Sequence, residues 1–222
     1  MNNKLGFAIA IGIVIGLVGT YVYKKTQPTK PEVILPHYGI DSVVTKKMEG
    51  KEVLDTIYHT IPDFKFTSQE GKAVTMSNMK NCIFVADFFF TTCPSICKDM
   101  AIQKMRIYKA FENNPQVKMI SHTVNPENDT VQAMMAYAKR CKITNHDKWY
   151  LVTGTKPALY EQARKGYMVT ATEGNGGEDD FVHTEKFALI DKHRHIRGYY
   201  DGTSEQEINQ LMYDMEQLLK EE

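Results

Sequence analysis

The sequence predicts a three-layer α/β domain of thioredoxin type with an N-terminal transmembrane helix. Three observations predict it. Apolar runs of strand length alternate with amphipathic helical stretches through the middle of the chain, and a hairpin and one more helix close it. A Cys-Pro-x-x-Cys element stands where the first long apolar run ends. Near the N-terminus, the nineteen residues from Leu5 to Tyr23 carry no charge. The organisation that follows is an anchor over 1–24, a tether and linker over 25–52, and the domain over 53–222.

As a helix, Leu5 to Tyr23 would rise about 28 Å, close to the hydrocarbon thickness of a bilayer. Tyr21 and Tyr23 stand at one end, as interfacial aromatics do. The segment ends Gly-Thr-Tyr-Val-Tyr without a small-x-small cleavage pattern, which favours an uncleaved anchor over a signal peptide. No cysteine precedes Cys82, which argues against a lipid-modified cysteine. Pro28, Pro31 and Pro36 make the stretch from Gln27 to Pro36 an extended tether.

The alternating bursts around Thr56–Ile61 and Phe64–Phe66, the turn at Gly71 and Ala73–Met76 read as a β-hairpin entering the domain. Cys82 to Phe90 is apolar, aromatic and too short for a typical helix, so it reads as a buried central strand. A helix from Pro94 to about Asn113 follows, with Ile96, Met100, Ile107 and Phe111 on one stripe. Val117 to Val124 is the next strand, Asn128 to Lys139 a helix, Trp149 to Thr153 a strand and Lys156 to Lys165 a helix with Pro157 in its first turn. Glu173 to Asp180 is a polar, glycine-rich loop. Phe187–Asp191 and Ile196–Tyr200 form a hairpin, and Ser204 with Glu207 has the spacing of a capping box for the last helix.

The chain has 222 residues, four cysteines and a formal net charge of zero with scattered basic residues, so there is no electrostatic footprint for nucleic acid. Four cysteines are too few for a disulfide scaffold of this size, and Cys82 and Cys141 read as isolated thiols. Cys93 and Cys97 differ. Proline after Cys93 suits the first turn of a helix, and residues four apart share a helix face. Both sulfurs then converge at a helix N-terminus, where the dipole favours thiolate. Such a pair either binds a soft metal or exchanges a disulfide. Of the seven histidines, His37, His59, His122, His146, His193 and His195 read as surface or locally satisfied residues. His183 stands out by position. It follows the glycine-rich loop and precedes a strand whose entry, in a thioredoxin-type sheet, lies beside the redox helix terminus.

From about Ile61 onward the chain resembles the Sco/SenC family, membrane-anchored proteins of cytochrome c oxidase assembly. The resemblance is carried by Cys93-Pro94-Ser95-Ile96-Cys97, by Val124-Asn125-Pro126-Glu127-Asn128-Asp129-Thr130, by Trp149 with Thr153-Gly154, by His183 before Phe187-Ala188-Leu189-Ile190-Asp191, and by Tyr200-Asp201-Gly202. Lys98 stands where many members have proline, and Asn125 where an acidic residue is usual. Peroxiredoxins are the nearest confusable enzymes, but their Pro-x-x-x-Thr-x-x-Cys pattern would fall on Ala86 and Phe90.

The resemblance implies copper as the cofactor, held by Cys93, Cys97 and His183. Two thiolates and an imidazole suit Cu(I) in a three-coordinate site, and Cu(II) with a further weak ligand; structural zinc would want a fourth protein ligand. It implies a copper chaperone that delivers copper to the binuclear copper centre of cytochrome c oxidase, reduces that centre's cysteines, or both. A metal-free thiol–disulfide oxidoreductase using the Cys93/Cys97 redox pair is the alternative. The implied partners are the copper-centre subunit of the oxidase, an upstream copper donor, a thiol reductant, and membrane lipid around the N-terminal helix. Such thiol chemistry works outside a reducing cytosol. No arginine precedes Arg106, so an Arg-rich mitochondrial targeting segment is absent. The expected location is a bacterial cytoplasmic membrane with the domain on the periplasmic side, although Lys24, Lys25 and Lys30 against Lys4 argue the other way by the positive-inside rule.

Overall fold

A computed structural model describes residues 34–48, 51–92, 96–169 and 184–221. The expected anchor over Leu5–Tyr23 lies outside the described residues. Among the described residues no helix is long and apolar enough to cross a membrane.

Nine strands are described: β1 (Ile40–Met48), β2 (Lys51–Tyr58), β3 (Lys65–Ser68), β4 (Ala73–Thr75), β5 (Ile83–Phe89), β6 (Val117–Thr123), β7 (Trp149–Thr153), β8 (Lys186–Ile190) and β9 (Ile196–Asp201). The helices are α1 (Ile96–Phe111), α2 (Val131–Arg140), α3 (Lys156–Glu161) and α4 (Glu205–Leu218). Seven strands form one sheet in the order β4-β3-β7-β6-β5-β8-β9. The middle pairs β5–β6 and β6–β7 are parallel; β3, β8 and β9 each run antiparallel to their neighbours. Parallel neighbours need crossovers, and α1 and α2 supply them.

Alternation along β5 builds two cores. Ile83, Val85 and Phe89 face a layer made by α1, α2 and α4, with Met100, Ile107, Tyr137, Leu211 and Met215 among its buried residues. Phe84, Ala86 and Phe88 face the other layer, where Phe64, Phe66, Met76, Leu159 and Tyr160 pack. This is the expected three-layer arrangement. Asp87 is the one charged residue in β5. It points to the α1 side and pairs with Lys104 Nζ at 2.6 Å, both side chains being 1% exposed. Ser121 Oγ also donates to Asp87, and Trp149 Nε1 donates to Ser121 Oγ at 2.9 Å. This network fastens α1 to the sheet from inside.

Most elements fall within a few residues of their expected bounds, with three differences. First, the stretch expected as linker up to Glu52 contains β1, which pairs antiparallel with β2 over Ile40–Met48 and Lys51–Tyr58. Its Val43-Val44-Thr45 run is β-branched and suits a strand, a signal outweighed in the sequence by the surrounding Lys, Asp and Ser. Second, the end of the tether is docked: Leu35 is buried, and the Leu35 and Pro36 carbonyls accept hydrogen bonds from Arg197 at 2.7 and 3.1 Å. Third, the helix expected to reach Lys165 stops at Glu161 and continues as a π-helical turn, Gln162–Gly166. At α4, Ser204 Oγ accepts from the Glu207 N–H, while the Glu207 carboxylate accepts from the Asp201 N–H, so half of the expected capping box is formed.

Candidate metal centre

Cys93 and His183 lie outside the described residues. Cys97 falls in the first turn of α1, and its side chain lies outside them too. The structure therefore shows the frame around the predicted ligands. β5 ends at Phe89, Phe90–Thr92 lead to Cys93, and α1 begins at Ile96, which is the strand–turn–helix junction expected for the Cys-Pro-x-x-Cys element. β8 runs antiparallel to β5 with Ala86 opposite Ala188. That register brings the start of β8 to the level of Phe88, so the chain leaves β5 and enters β8 at one end of the sheet. Thr184, next to His183, is tied there by its hydroxyl, which donates to the Val169 carbonyl at 3.3 Å and accepts from the Lys186 N–H at 3.2 Å.

A buried carboxylate holds the turn that precedes Cys93. Asp129 is fully buried. Its oxygens accept from the Thr91 N–H at 3.2 Å and from the Thr91 hydroxyl at 2.5 Å, and also from the Thr123 hydroxyl. From the other side, Arg140 donates to the Thr91 carbonyl at 3.1 Å. The Val124–Thr130 motif shapes the loop that delivers Asp129. The Asp129 N–H donates to the Asn125 carbonyl at 2.9 Å, the Asn125 N–H donates to the Thr123 hydroxyl at 2.9 Å, and Asn128 Nδ2 donates to the Asn125 side-chain oxygen at 3.0 Å. Thr130 then caps α2 by accepting from the Ala133 N–H. In the sequence Asp129 stands inside the Val124–Thr130 motif, with nothing adjacent that marks it as the partner of Thr91. The available signal was an aspartate next to a capping threonine, downstream of a strand that ends in hydroxyls.

Four of the six histidines outside the predicted site bear on the expectation. His59 is satisfied, as expected: one ring nitrogen meets the Gly166 carbonyl at 2.9 Å and the other Asp41 at 3.2 Å. His122 departs from the expectation. It is fully buried among Phe64, Phe66, Phe88 and Tyr167, and neither ring nitrogen has a hydrogen-bond partner among the described residues. Burial pushes its imidazole down to about 3. His37 and His195 depart as well, because the fold gathers them with Asp191 into one cluster. Among the described residues neither Cys82 nor Cys141 is in a disulfide, as expected.

The pattern of the SCO1/SenC family matches residues 55–220. The chain belongs to the SCO1/SenC family. Among similar SCO proteins, the SCO1 protein homolog of Bacillus subtilis (strain 168) is 27% identical over 168 residues, 75% of this chain and 86% of the homolog. Among solved structures, BsSco, described as a member of the Sco family of cytochrome c oxidase assembly proteins with a disulfide switch, is 26% identical with a TM-score of 0.60, over 72% of this chain and 92% of BsSco. Arabidopsis thaliana ScoI with copper bound is 25% identical with a TM-score of 0.58, over 74% of this chain and all of that one. The mixed α/β fold of this SCO1/SenC chain thus matches the thioredoxin-like Sco structures, and its family is that of cytochrome c oxidase assembly proteins.

Proposed function

We propose that this chain binds copper through Cys93, Cys97 and His183 and serves in building the binuclear copper centre of cytochrome c oxidase. The observation that carries this reading is the family match over 55–220, which contains the Cys-Pro-x-x-Cys element at a strand-to-helix junction and the strand that follows His183. The copper-bound Arabidopsis relative supports the metal, and the description of BsSco supports the oxidase as destination. Copper here is cargo. Two thiolates and one imidazole form a soft donor set that holds Cu(I) yet leaves room for a partner's ligand to displace one of its own. The copper-centre subunit would be the recipient, supplied by an upstream copper donor. Leu5 to Tyr23 would anchor the chain in lipid, with the domain on the periplasmic side of a bacterial cytoplasmic membrane.

The disulfide switch ascribed to BsSco favours a second reading, that the pair acts as a reductant. In that exchange one thiolate attacks a target disulfide, and the second displaces the target's remaining sulfur. Cys93 and Cys97 end as a disulfide, and the target gains two electrons and two protons. A separate thiol reductant must then restore the pair.

Copper binding by the detergent-solubilised full chain tests the metal reading. His183→Ala should weaken copper binding at least tenfold and alter the visible Cu(II)–thiolate absorption, while leaving the reducing power of the thiol pair. If copper binding is unaffected, the metal reading fails and the oxidoreductase reading stands. Location is tested by alkaline phosphatase fused after Glu222, which is active only where disulfides form. An active fusion is expected; an inactive but stable one would put the domain in the cytosol.

A further inference from the structure

At the end of the sheet away from the cysteine motif, three potential ligands converge from separate segments. His195 lies in the β8–β9 turn. Asp191 ends β8. His37 arrives from the N-terminal stretch, which is pinned to β9 by the Tyr38 N–H donating to the Ile196 carbonyl at 2.8 Å. One ligand atom from each lies within 4.8 Å of the others, and His195 Nδ1 is already 3.6 Å from Asp191 Oδ2. Around a tetrahedral ion with bonds of about 2.1 Å, ligand atoms stand roughly 3.4 Å apart. Small side-chain rotations would close the set.

The surroundings are built rather than accidental. Asp191 is buried, and its Oδ1 accepts from the His193 and His195 N–H groups at 2.9 and 2.8 Å, which orients Oδ2. The His37 ring stacks on Tyr58 with centroids 4.6 Å apart. Arg197 Nη1 lies 3.2 Å from Asp191 Oδ2 and would oppose a cation, but the guanidinium also binds Glu221 at 3.1 Å and two backbone carbonyls. The group thus holds two carboxylates to one guanidinium, leaving one negative charge beside two imidazoles.

We propose that His37, Asp191 and His195 form a second metal site, for a divalent first-row transition ion such as Zn(II) or Cu(II), separate from the thiolate set. Two imidazoles and a carboxylate are borderline-to-hard donors and select divalent ions over Cu(I). From the level of Ile190 to the end of β5 is about 17 Å of strand, so the two sites do not share ligands. The site would hold a divalent ion in the same domain as a soft-metal motif, and would cross-link the N-terminal segment to the sheet.

The test uses the full chain with Cys93→Ser, Cys97→Ser and His183→Ala together, which removes the soft donors and makes the result independent of the function proposed above. Zn(II) titration by calorimetry should give one equivalent bound. Cu(II) should show nitrogen hyperfine splitting in its electron paramagnetic resonance spectrum. Adding His37→Gln or His195→Gln should each weaken binding at least tenfold. His193→Gln, whose ring lies outside the trio, should leave it unchanged and serves as the control for local unfolding. Failure of the triple variant to bind either ion overturns the proposal. So does retention of binding after either His37→Gln or His195→Gln, or an equal loss in His193→Gln.

Discussion

A buried aspartate lies near each end of the sheet, Asp129 in the loop after β6 and Asp191 just after β8, and the two are used in opposite ways. At the end that leads to Cys93, Asp129 is surrounded by neutral donors, the Thr91 N–H and the Thr91 and Thr123 hydroxyls. Its charge is stabilised by hydrogen bonds alone, and it holds backbone in place. At the far end, Asp191 pairs with the Arg197 guanidinium and faces two imidazoles. A carboxylate held by neutral donors makes a rigid turn with no donor capacity to spare. A carboxylate paired with one guanidinium keeps two imidazoles beside it as potential co-ligands. The first arrangement suits a frame for ligands carried by other residues; the second suits ligation by the aspartate itself.

The largest effect is expected from breaking the far end. Arg197→Met would leave the buried Asp191, and Glu221, without their guanidinium, and would free the Leu35 and Pro36 carbonyls. A loss of about 3–5 kcal/mol is expected in urea unfolding, since removing one partner of a buried pair strands the other charge. A loss below about 1 kcal/mol would mean that the ionic network contributes little and that the comparison rests on geometry alone.

Asp129→Asn should be milder, at about 1–3 kcal/mol, because the amide keeps one acceptor oxygen while presenting donors to hydroxyls that already donate. Its diagnostic effect is local. Amide hydrogen exchange at Thr91 should accelerate, and exchange at His195 should not. Equal acceleration at both would show that the two ends unfold as one unit.

The third effect is a pH dependence. His122, level with Phe88 near the Thr91 end, has its pKa depressed by burial to about 3, against 6.5 for an exposed imidazole. Between these values the unfolded chain binds a proton that the folded chain refuses. Stability therefore falls as pH drops from 6.5 toward 3, by about 1.4 kcal/mol per pH unit from this group; above 6.5 it contributes no slope. His122→Leu should remove that part of the slope, measured as the difference between wild type and variant in denaturant unfolding at pH 7, 6 and 5. Identical slopes would show that the ring is protonated or hydrated in the folded state.

Much of the sheet was legible from the sequence. Its strands are apolar runs of the right length, and its helices carry stripes that local periodicity exposes. The Cys-Pro-x-x-Cys junction was legible for the same reason, since strand, turn and helix follow one another in the chain. What was missed has a common cause. Asp87 interrupts an apolar strand, and its partner Lys104 stands seventeen residues away on the next helix. β1 was hidden because both its faces are largely exposed and its polar residues resemble those of a linker. His122 was expected to be a surface or locally satisfied residue because one histidine in Ser121-His122-Thr123 gives no local sign of the aromatic cage of Phe64, Phe66, Phe88 and Tyr167.

By itself, then, the sequence determined most of the order of elements, the three-layer α/β class and the family, because each is written in residues adjacent in the chain or in motifs of fixed spacing. Only the tertiary structure decided that Asp129 clamps Thr91, that Arg197 docks the end of the tether, and that His37 meets Asp191 and His195. These pairings span from about forty to more than one hundred and fifty residues. Sheet register and packing bring such partners together, and no local pattern encodes which charge or hydroxyl will stand opposite another once the strands have paired.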